Sequence, residues 1–325
     1  MSVRDKIAKA IADRIRVWHA SPHDFDKVDL SKIGTGQGAQ SYGPGFYAAE
    51  SKAVSGQGGE YWKEFLHHDS IPRDQFTAAK FLERAAFDRA EAIRLLDAEI
   101  AQNAKYPTTN SFAPRQKMFE EARAALEGGG QVGPRVYEMD IKARPEQFLQ
   151  WDEPLKNQPE VYKRLDIGGA LYPVKNRQGL NPEDATGRAW FQRAAEGGST
   201  WSQDPYPRGW AAMKMLEREG IPGIRYLDQK SRFLPSELAE ARQAAETAER
   251  VKAGEKIWPP QSLPRAGGTW ADEVKRLEAL SPTYNYVVND PDKLEILAKY
   301  GIGAATTLPP AIGALAASDQ YEVSQ

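Results

Sequence analysis

The chain has 325 residues, of which 41% are hydrophobic and 27% charged, with a formal net charge of −2. That is room for one large domain or two small ones around a sizeable core, and the near-neutral charge excludes a blanket pull toward nucleic acid or anionic lipid, leaving only a local basic patch. The absence of cysteine rules out disulfides, thiolate nucleophiles and Cys-ligated zinc, and four histidines, with His67 and His68 adjacent, are a poor basis for a metal site, so no metal is expected.

At the N-terminus Val3, Ile7 and Ile11 recur four apart, which predicts an amphipathic helix over residues 2–15 leading into the first strand. No long apolar h-region precedes it, so no Sec signal peptide is expected. Arg16-Val17-Trp18-His19-Ala20 alternates polar and apolar and reads as a strand that carries His19 to its end, where Ser21-Pro22 forces a turn. Asp24 to Ile33 reads as a surface turn with a short helical piece. Gly34, Gly36 and Gly38, followed by Gly43 and Gly45, let the backbone reach positive φ or approach a ligand closely.

Gly34-Thr35-Gly36-Gln37-Gly38-Ala39 satisfies the GxGxxA spacing of a dinucleotide-binding turn, but that fingerprint requires a buried strand before it and a helix after it. Asp29-Leu30-Ser31-Lys32 and Gln40 to Gly45 are neither, so a Rossmann fold is not expected.

A second short strand is predicted at Gly45 to Ala48, a small-residue loop at Ser51 to Gly59, and a helix from Glu60 through Leu66. Phe76 to Asn103 and Arg115 to Leu126 hold Phe81, Ala85, Ala92, Leu95 and Leu96 in helical register. They predict a helical hairpin inserted between strands at about residues 71–130, either a lid or target contact or a plain buttress. Arg135 to Ile141 alternates cleanly as a half-buried strand. Further on come a loop pinned by aromatics at Phe148 to Leu155, a short helix at Gln158 to Arg164, and a Gly-, Pro- and Asn-rich stretch over 166–206 that the pattern leaves unassigned.

Trp210 to Gly220 predicts a helix closed by Gly220 at C′, feeding a strand at Gly223 to Leu227. An exposed helix is predicted at Pro235 to Ala253 and another at Trp270 to Leu280. The last strands are predicted at Asn285 to Val288 and Leu294 to Leu297. Ile302 to Ala317 is apolar but short for a bilayer span and broken by Pro309-Pro310, so residues 301–325 are expected to be a weakly ordered tail, with no membrane span. Short strands with helices segregated between them indicate an α+β fold.

The strand ending in His19-Ala20-Ser21, the glycine-rich loop, Tyr42-Gly43-Pro44-Gly45-Phe46-Tyr47-Ala48-Ala49 and the late strand Tyr284 to Asp290 together resemble ADP-ribosyltransferases of the diphtheria-toxin and poly(ADP-ribose)-polymerase type. Trp18 to Tyr47, Val136 to Ile141, Gly220 to Asp228, Ser231-Arg232 and Asn285 to Leu297 are closer still to the ADP-ribosyltransferase domain of polyvalent proteins in phages and conjugative elements. The resemblance covers most of residues 15 to 300 and implies a split β-sandwich around an NAD cleft with inserted helical segments, one domain over residues 1–300, and NAD as co-substrate.

The resemblance also implies roles. His19 would hydrogen-bond the adenosine ribose, the main chain at Ala20 would grip the nicotinamide carboxamide with Ser21 beside it, and Tyr47 would stack on the nicotinamide ring. Relatives commonly have Gly where Ala20 stands, a change that keeps the main-chain groups. Tyr61 is the candidate for the second stacking aromatic, Ser55 competes for the carboxamide hydroxyl role, and Arg225 and Arg232 are candidates for the pyrophosphate, against the plain alternative of a surface ion pair with Asp228. Where the family pattern carries a glutamate, Asn285 stands. An amide accepts a hydrogen bond from the ribose 2′-hydroxyl but cannot act as a base, so chain extension is not expected and mono-ADP-ribosyl transfer is, with Glu50, Glu138 or Asp228 as alternative carboxylates.

The implied partners are NAD and a host protein, with a nucleic-acid target left open, acting in the host cytoplasm after delivery by a phage particle or mobile element. The alternatives are a catalytically weak NAD- or ADP-ribose-binding module and an NAD glycohydrolase. Strand alternation puts Asn285 on the face of Val287, with Tyr284 and Tyr286 on the other; one face is expected to be buried and the other open, and the site assignment fails if Asn285 points into the core.

Overall fold

The computed structural model describes residues 14–32, 40–68, 71, 73–107, 111–129, 132–175, 181–197, 209–265, 267–300 and 306–307. Of the N-terminal helix expected over 2–15, residues 2–13 lie outside the described residues and Ile15 belongs to a strand; the turn Gly34 to Ala39 and most of the tail at 301–325 also lie outside them. The strands are β1 (Ile15–Ser21), β2 (Phe46–Ala49), β3 (Arg135–Ile141), β4 (Leu149–Gln150), β5 (Gly223–Leu227), β6 (Tyr284–Val288), β7 (Leu294–Tyr300) and β8 (Thr306–Thr307). The mixture of helices with antiparallel and parallel strand pairs is compatible with α+β.

The chain divides into two compact units. The first draws its described residues from Met1–Ser41, Ser51–Arg144 and Asp290–Gln325, the second from Tyr42–Glu50 and Pro145–Asn289.

In the first unit β1 runs antiparallel to β3, with His19 opposite Tyr137, and β3 runs antiparallel to β7 with a register shift between Glu138 and Met139. β8 adds to β7. Trp18, Ala20 and Val136 share one face and pack with Trp62 and Phe65 of helix Glu60–Phe65 and with Leu82, Leu96, Phe119 and Leu126 of the inserted helices. The insertion is therefore a buttress over β1 and β3. The expected run Phe76 to Asn103 splits into helices Arg73–Arg84 and Arg89–Asn103. Ala86 and Phe87 take positive φ of 49° and 67° between them, and Asp88 caps the second helix by accepting from the Glu91 N–H at 3.0 Å. Packing drives this break: the Phe87 ring meets Trp62 edge-on at 5.5 Å, which offsets the strain of a left-handed aromatic residue.

In the second unit β6 lies between β2 and β5, antiparallel to both, and β4 is parallel to β5. Opposed residues share a face, so Tyr47, Ala49, Ile224, Tyr226, Asn285 and Val287 lie on one side and Ala48, Arg225, Tyr284, Tyr286 and Val288 on the other. The first side rests on a core that includes Leu165, Trp190, Phe191, Met213 and Leu216. Trp190 and Phe191 come from helix Gly187–Gly197, inside the stretch that the sequence pattern left unassigned, which starts where the Thr186 hydroxyl accepts the Ala189 N–H at 3.1 Å. The helix expected from Pro235 begins earlier, at Gln229, because Asp228 caps it. Gly220 closes helix Trp210–Arg218 at C′ with φ of 67°, as expected. Among the described residues no helix is long and apolar enough to cross a membrane.

Candidate functional site

In the first unit, β1 presents His19 beside an aromatic pair. Its ring lies 6.2 Å from Tyr137 and 6.1 Å from Phe25, and those two stack at 4.0 Å and 13°. The Tyr137 hydroxyl donates to the His23 carbonyl and accepts the Phe25 N–H, both at 2.9 Å, and burial pushes that phenol up. The turn after β1 is thereby tied to β3, and with it the surroundings of His19. Ser21 is buried and its hydroxyl accepts the His23 N–H at 3.1 Å, while Ala20 is buried on the opposite face, toward the helices. Ser55 is buried at the end of helix Lys52–Ser55, and Tyr61, 39% exposed, lies on helix Glu60–Phe65. Both short helices pack on β1. The structure thus gathers His19, Ala20, Ser21, Ser55 and Tyr61 around one strand.

Tyr47 and Asn285 belong to the second unit and share a face. Tyr47 opposes Val287, and Asn285, one step further along, opposes Ala49 on β2 and Tyr226 on β5. Gly45 is required here: a Cβ would stand 2.5 Å from Val287 Cγ1. Gly43 has φ of 94° and its Cβ would meet Phe191 Cζ at 2.5 Å, so the turn before β2 needs glycine on both counts. The Tyr47 hydroxyl donates to the Gly43 carbonyl at 2.7 Å and accepts the Tyr42 N–H at 3.3 Å. The ring is held against its own turn.

The expectation of one open face on β6 is corrected, since Tyr286 and Val287 lie on opposite faces and both are fully buried. Asn285 is itself only 7% exposed, on the side that carries the core, a placement that speaks against an open cleft. What separates it from a core residue is its Oδ1, which is buried with no hydrogen-bond partner among the described residues. A buried acceptor without a donor costs about 1–3 kcal/mol and asks for a reason.

Arg225 does not join that face. It stands on the other side of β6, its guanidinium 3.3 Å from the Tyr284 ring centroid, with Nε donating to the Tyr286 hydroxyl at 3.1 Å and Nη1 to Gln150 Oε1 at 3.0 Å. Neither the pyrophosphate role beside Asn285 nor the ion pair with Asp228 describes it. Its charge is met through Tyr286, which donates to Glu50 Oε1 at 2.7 Å. Arg232 is on the Asn285 side: its guanidinium lies 5.7 Å from the Tyr42 ring, and Nε donates to the Leu227 carbonyl at 3.2 Å.

The alternative carboxylates are engaged elsewhere. Glu50 also accepts the Tyr284 N–H at 3.1 Å. Glu138 pairs with Arg16 and accepts from the Tyr300 hydroxyl at 2.6 Å. Asp228 is buried, capping its helix through the Ser231 N–H at 2.7 Å and accepting from the Thr283 hydroxyl.

Three aromatics that the sequence reading passed over line the same region. Tyr42 lies flat on Tyr226 at 3.7 Å and 9°, and Trp151 meets Tyr42 edge-on at 4.9 Å. Burial pushes the Tyr42 phenol up, against the opposing charge of Arg232 and, more weakly, Arg188, while Asp152 adds to the rise. Tyr42 was legible as part of the Tyr-Gly-x-Gly segment; its pairing with Tyr226 had no local signal. Among the described residues no cluster of His, Asp and Glu could hold a metal ion. No family model, curated protein or solved structure matches the chain.

Proposed function

We propose that the chain is an NAD-dependent mono-ADP-ribosyltransferase that modifies a host macromolecule, most simply a protein, in the cytoplasm of a cell reached from a phage particle or mobile element. The observation that carries this reading is the orphaned Asn285 Oδ1 on the face it shares with Tyr47. An acceptor left without a donor among the described residues is what a ribose 2′-hydroxyl would satisfy.

Cleaving the N-glycosidic bond of NAD releases neutral nicotinamide and leaves positive charge on the ribose, which an acceptor nucleophile then captures. In this reading Tyr47 stacks the nicotinamide ring, Asn285 holds the 2′-hydroxyl and Arg232 faces the pyrophosphate. Glu50, Glu138 and Asp228 are held in other hydrogen bonds, so the transition state gets orientation and dipoles but no full negative charge from them. The expected rate is modest.

The binding-module reading keeps its place because Asn285 is an amide and nearly buried. Incubation with labelled NAD and a host lysate separates the outcomes: label on a macromolecule supports transfer, free ADP-ribose alone supports a glycohydrolase, and saturable binding without turnover supports the module. Asn285→Glu is expected to raise NAD hydrolysis by about tenfold or more, below the usual span of a positioned general base. An Asn285→Glu protein that stays folded with every activity unchanged would remove Asn285 from the site.

A further inference from the structure

Tyr226 has not been given a role above, and its surroundings point to one. It opposes Asn285 directly across the β5–β6 ladder, so its ring stands beside the unpartnered Oδ1. Another ring packs on it: Tyr42 lies parallel to it at 3.7 Å, the separation of stacked planar groups, and Arg232 lies over Tyr42 in turn. Tyr42 is delivered by the turn at Gly43, and its N–H is tied only to the hydroxyl of Tyr47 among the hydrogen bonds described.

We infer that Tyr226 is the platform of a ring-binding subsite and that Tyr42 is its resident stand-in, displaced when a planar ligand ring bearing an exocyclic N–H donor stacks on Tyr226 and donates to Asn285 Oδ1. Two features favour a ligand of that class. The place on Tyr226 is already filled by a ring, and Asn285 Oδ1 beside it has two lone pairs, one for an amide or amino N–H carried at a ring's edge and one for the ribose hydroxyl of the proposed function. The nicotinamide carboxamide and the adenine amine share that chemistry. The Tyr42–Tyr47 hydrogen bond runs from the Tyr42 main-chain N–H, so the Tyr42 ring can leave while the Tyr47 hydroxyl stays tied to the Gly43 carbonyl. The choice of probes rests on the proposed function; the displacement itself does not.

The test is calorimetric titration of the whole chain with nicotinamide, adenosine monophosphate, ADP-ribose and NAD, in the wild type and in Tyr42→Ala, Tyr226→Leu and Tyr226→Phe. Removing the stand-in is expected to tighten the ring that owns the slot about tenfold, as for a binding-competent state one-tenth populated. Tyr226→Leu is expected to weaken the same probe about threefold to tenfold, the worth of one aromatic stack, and Tyr226→Phe, which keeps the ring, to bind like the wild type. A gain confined to nicotinamide and NAD assigns the slot to nicotinamide; a gain shared by adenosine monophosphate and ADP-ribose assigns it to adenine.

The inference is overturned if Tyr42→Ala changes no affinity, or weakens binding as Tyr226→Leu does. NAD binding by the wild type in that outcome leaves the proposed function standing alone. Adenosine monophosphate held in the slot with no binding of nicotinamide or NAD leaves the subsite standing and overturns the function, and no binding by any protein overturns both.

Discussion

At the scale of single residues the hydroxyl of Tyr286 decides how two charges are carried on one face of β6. It donates to Glu50 and accepts from Arg225, and the ring is fully buried. Tyr286→Phe removes both bonds without opening a cavity and leaves two charged groups short of a partner. It is expected to lower stability by about 1–3 kcal/mol, and the melting temperature by several degrees in a thermal scan. Arginine at 225 and glutamate at 50 were legible as residues able to meet a ligand or a counter-charge, but the tyrosine between them was not, because strand parity tells which side a residue takes and not what crosses from a neighbouring strand. A second residue-scale prediction concerns alkaline pH. Tyr300, hydrogen-bonded to Glu138 and partly buried, has its ionisation pushed up to about 12. Burial raises Tyr137 and Tyr286 as well. A phenol whose folded value exceeds its unfolded value of about 10 contributes stability that is whole below pH 10 and lost as pH rises through the folded value. Melting temperatures should therefore hold to about pH 10 and fall toward pH 12, and Tyr300→Phe should make that fall shallower; absorbance at 295 nm followed on the same samples checks that phenolate appears together with unfolding.

At the scale of elements, the ends of helices explain most departures from the expected pattern. The helix read from Pro235 starts at Gln229 since Asp228 already supplies its cap, and Pro235 falls inside it, as the seventh residue, where it withholds one i→i−4 bond. Asp228 was read as a candidate ion-pair partner or spare carboxylate; a cap three residues before Ser231 was equally legible, and the Thr283 hydroxyl on its second oxygen was not. Asp228→Ala is expected to cost about 0.5–2 kcal/mol for the cap, with added loss from the stranded Thr283 hydroxyl, and Asp228→Asn to recover much of it. Hydrogen exchange should quicken first at Ser231 and Arg232. An acceleration spread evenly over the whole second unit instead would show that Asp228 holds more than this helix end. The break at Ala86 and Phe87 is of the opposite kind: helix propensity runs straight through it, and the docking of Phe87 on Trp62 overrides that propensity from outside the segment. For the candidate site the same division holds. Residues strung along one strand or turn, His19 to Ser21 and Tyr42 to Tyr47, could be read from the chain; the Tyr42–Tyr226 stack, made by residues far apart in sequence, could not.

At the scale of the molecule, neither unit is one continuous stretch of chain. The second takes strand β2 and the turn bearing Tyr42 from residues 42–50, and the rest from 145–289. Cutting out 145–289 by itself would leave β6 with an unpaired edge where β2 belongs, remove the Glu50 carboxylate from Tyr284 and Tyr286, and uncover Tyr226 where Tyr42 lay. An exposed edge flanked by Tyr286, Val287 and Val288 is an association hazard as well as a loss of pairing. The fragment 145–289 is therefore expected to show no sharp thermal transition by circular dichroism and to self-associate in sedimentation. Joining residues 42–50 to it through a flexible Gly/Ser linker should restore a cooperative melt, because β2 then finds β6 at a local concentration set by the linker and not by the solution. A linked fragment carrying Gly43→Ala should lose that gain again, since its new Cβ would meet Phe191 in a backbone of positive φ. Cooperative melting of 145–289 without residues 42–50 would mean that β2 is a dispensable edge, and the face shared by Tyr47, Tyr226 and Asn285 would then lose its claim to be a single built surface.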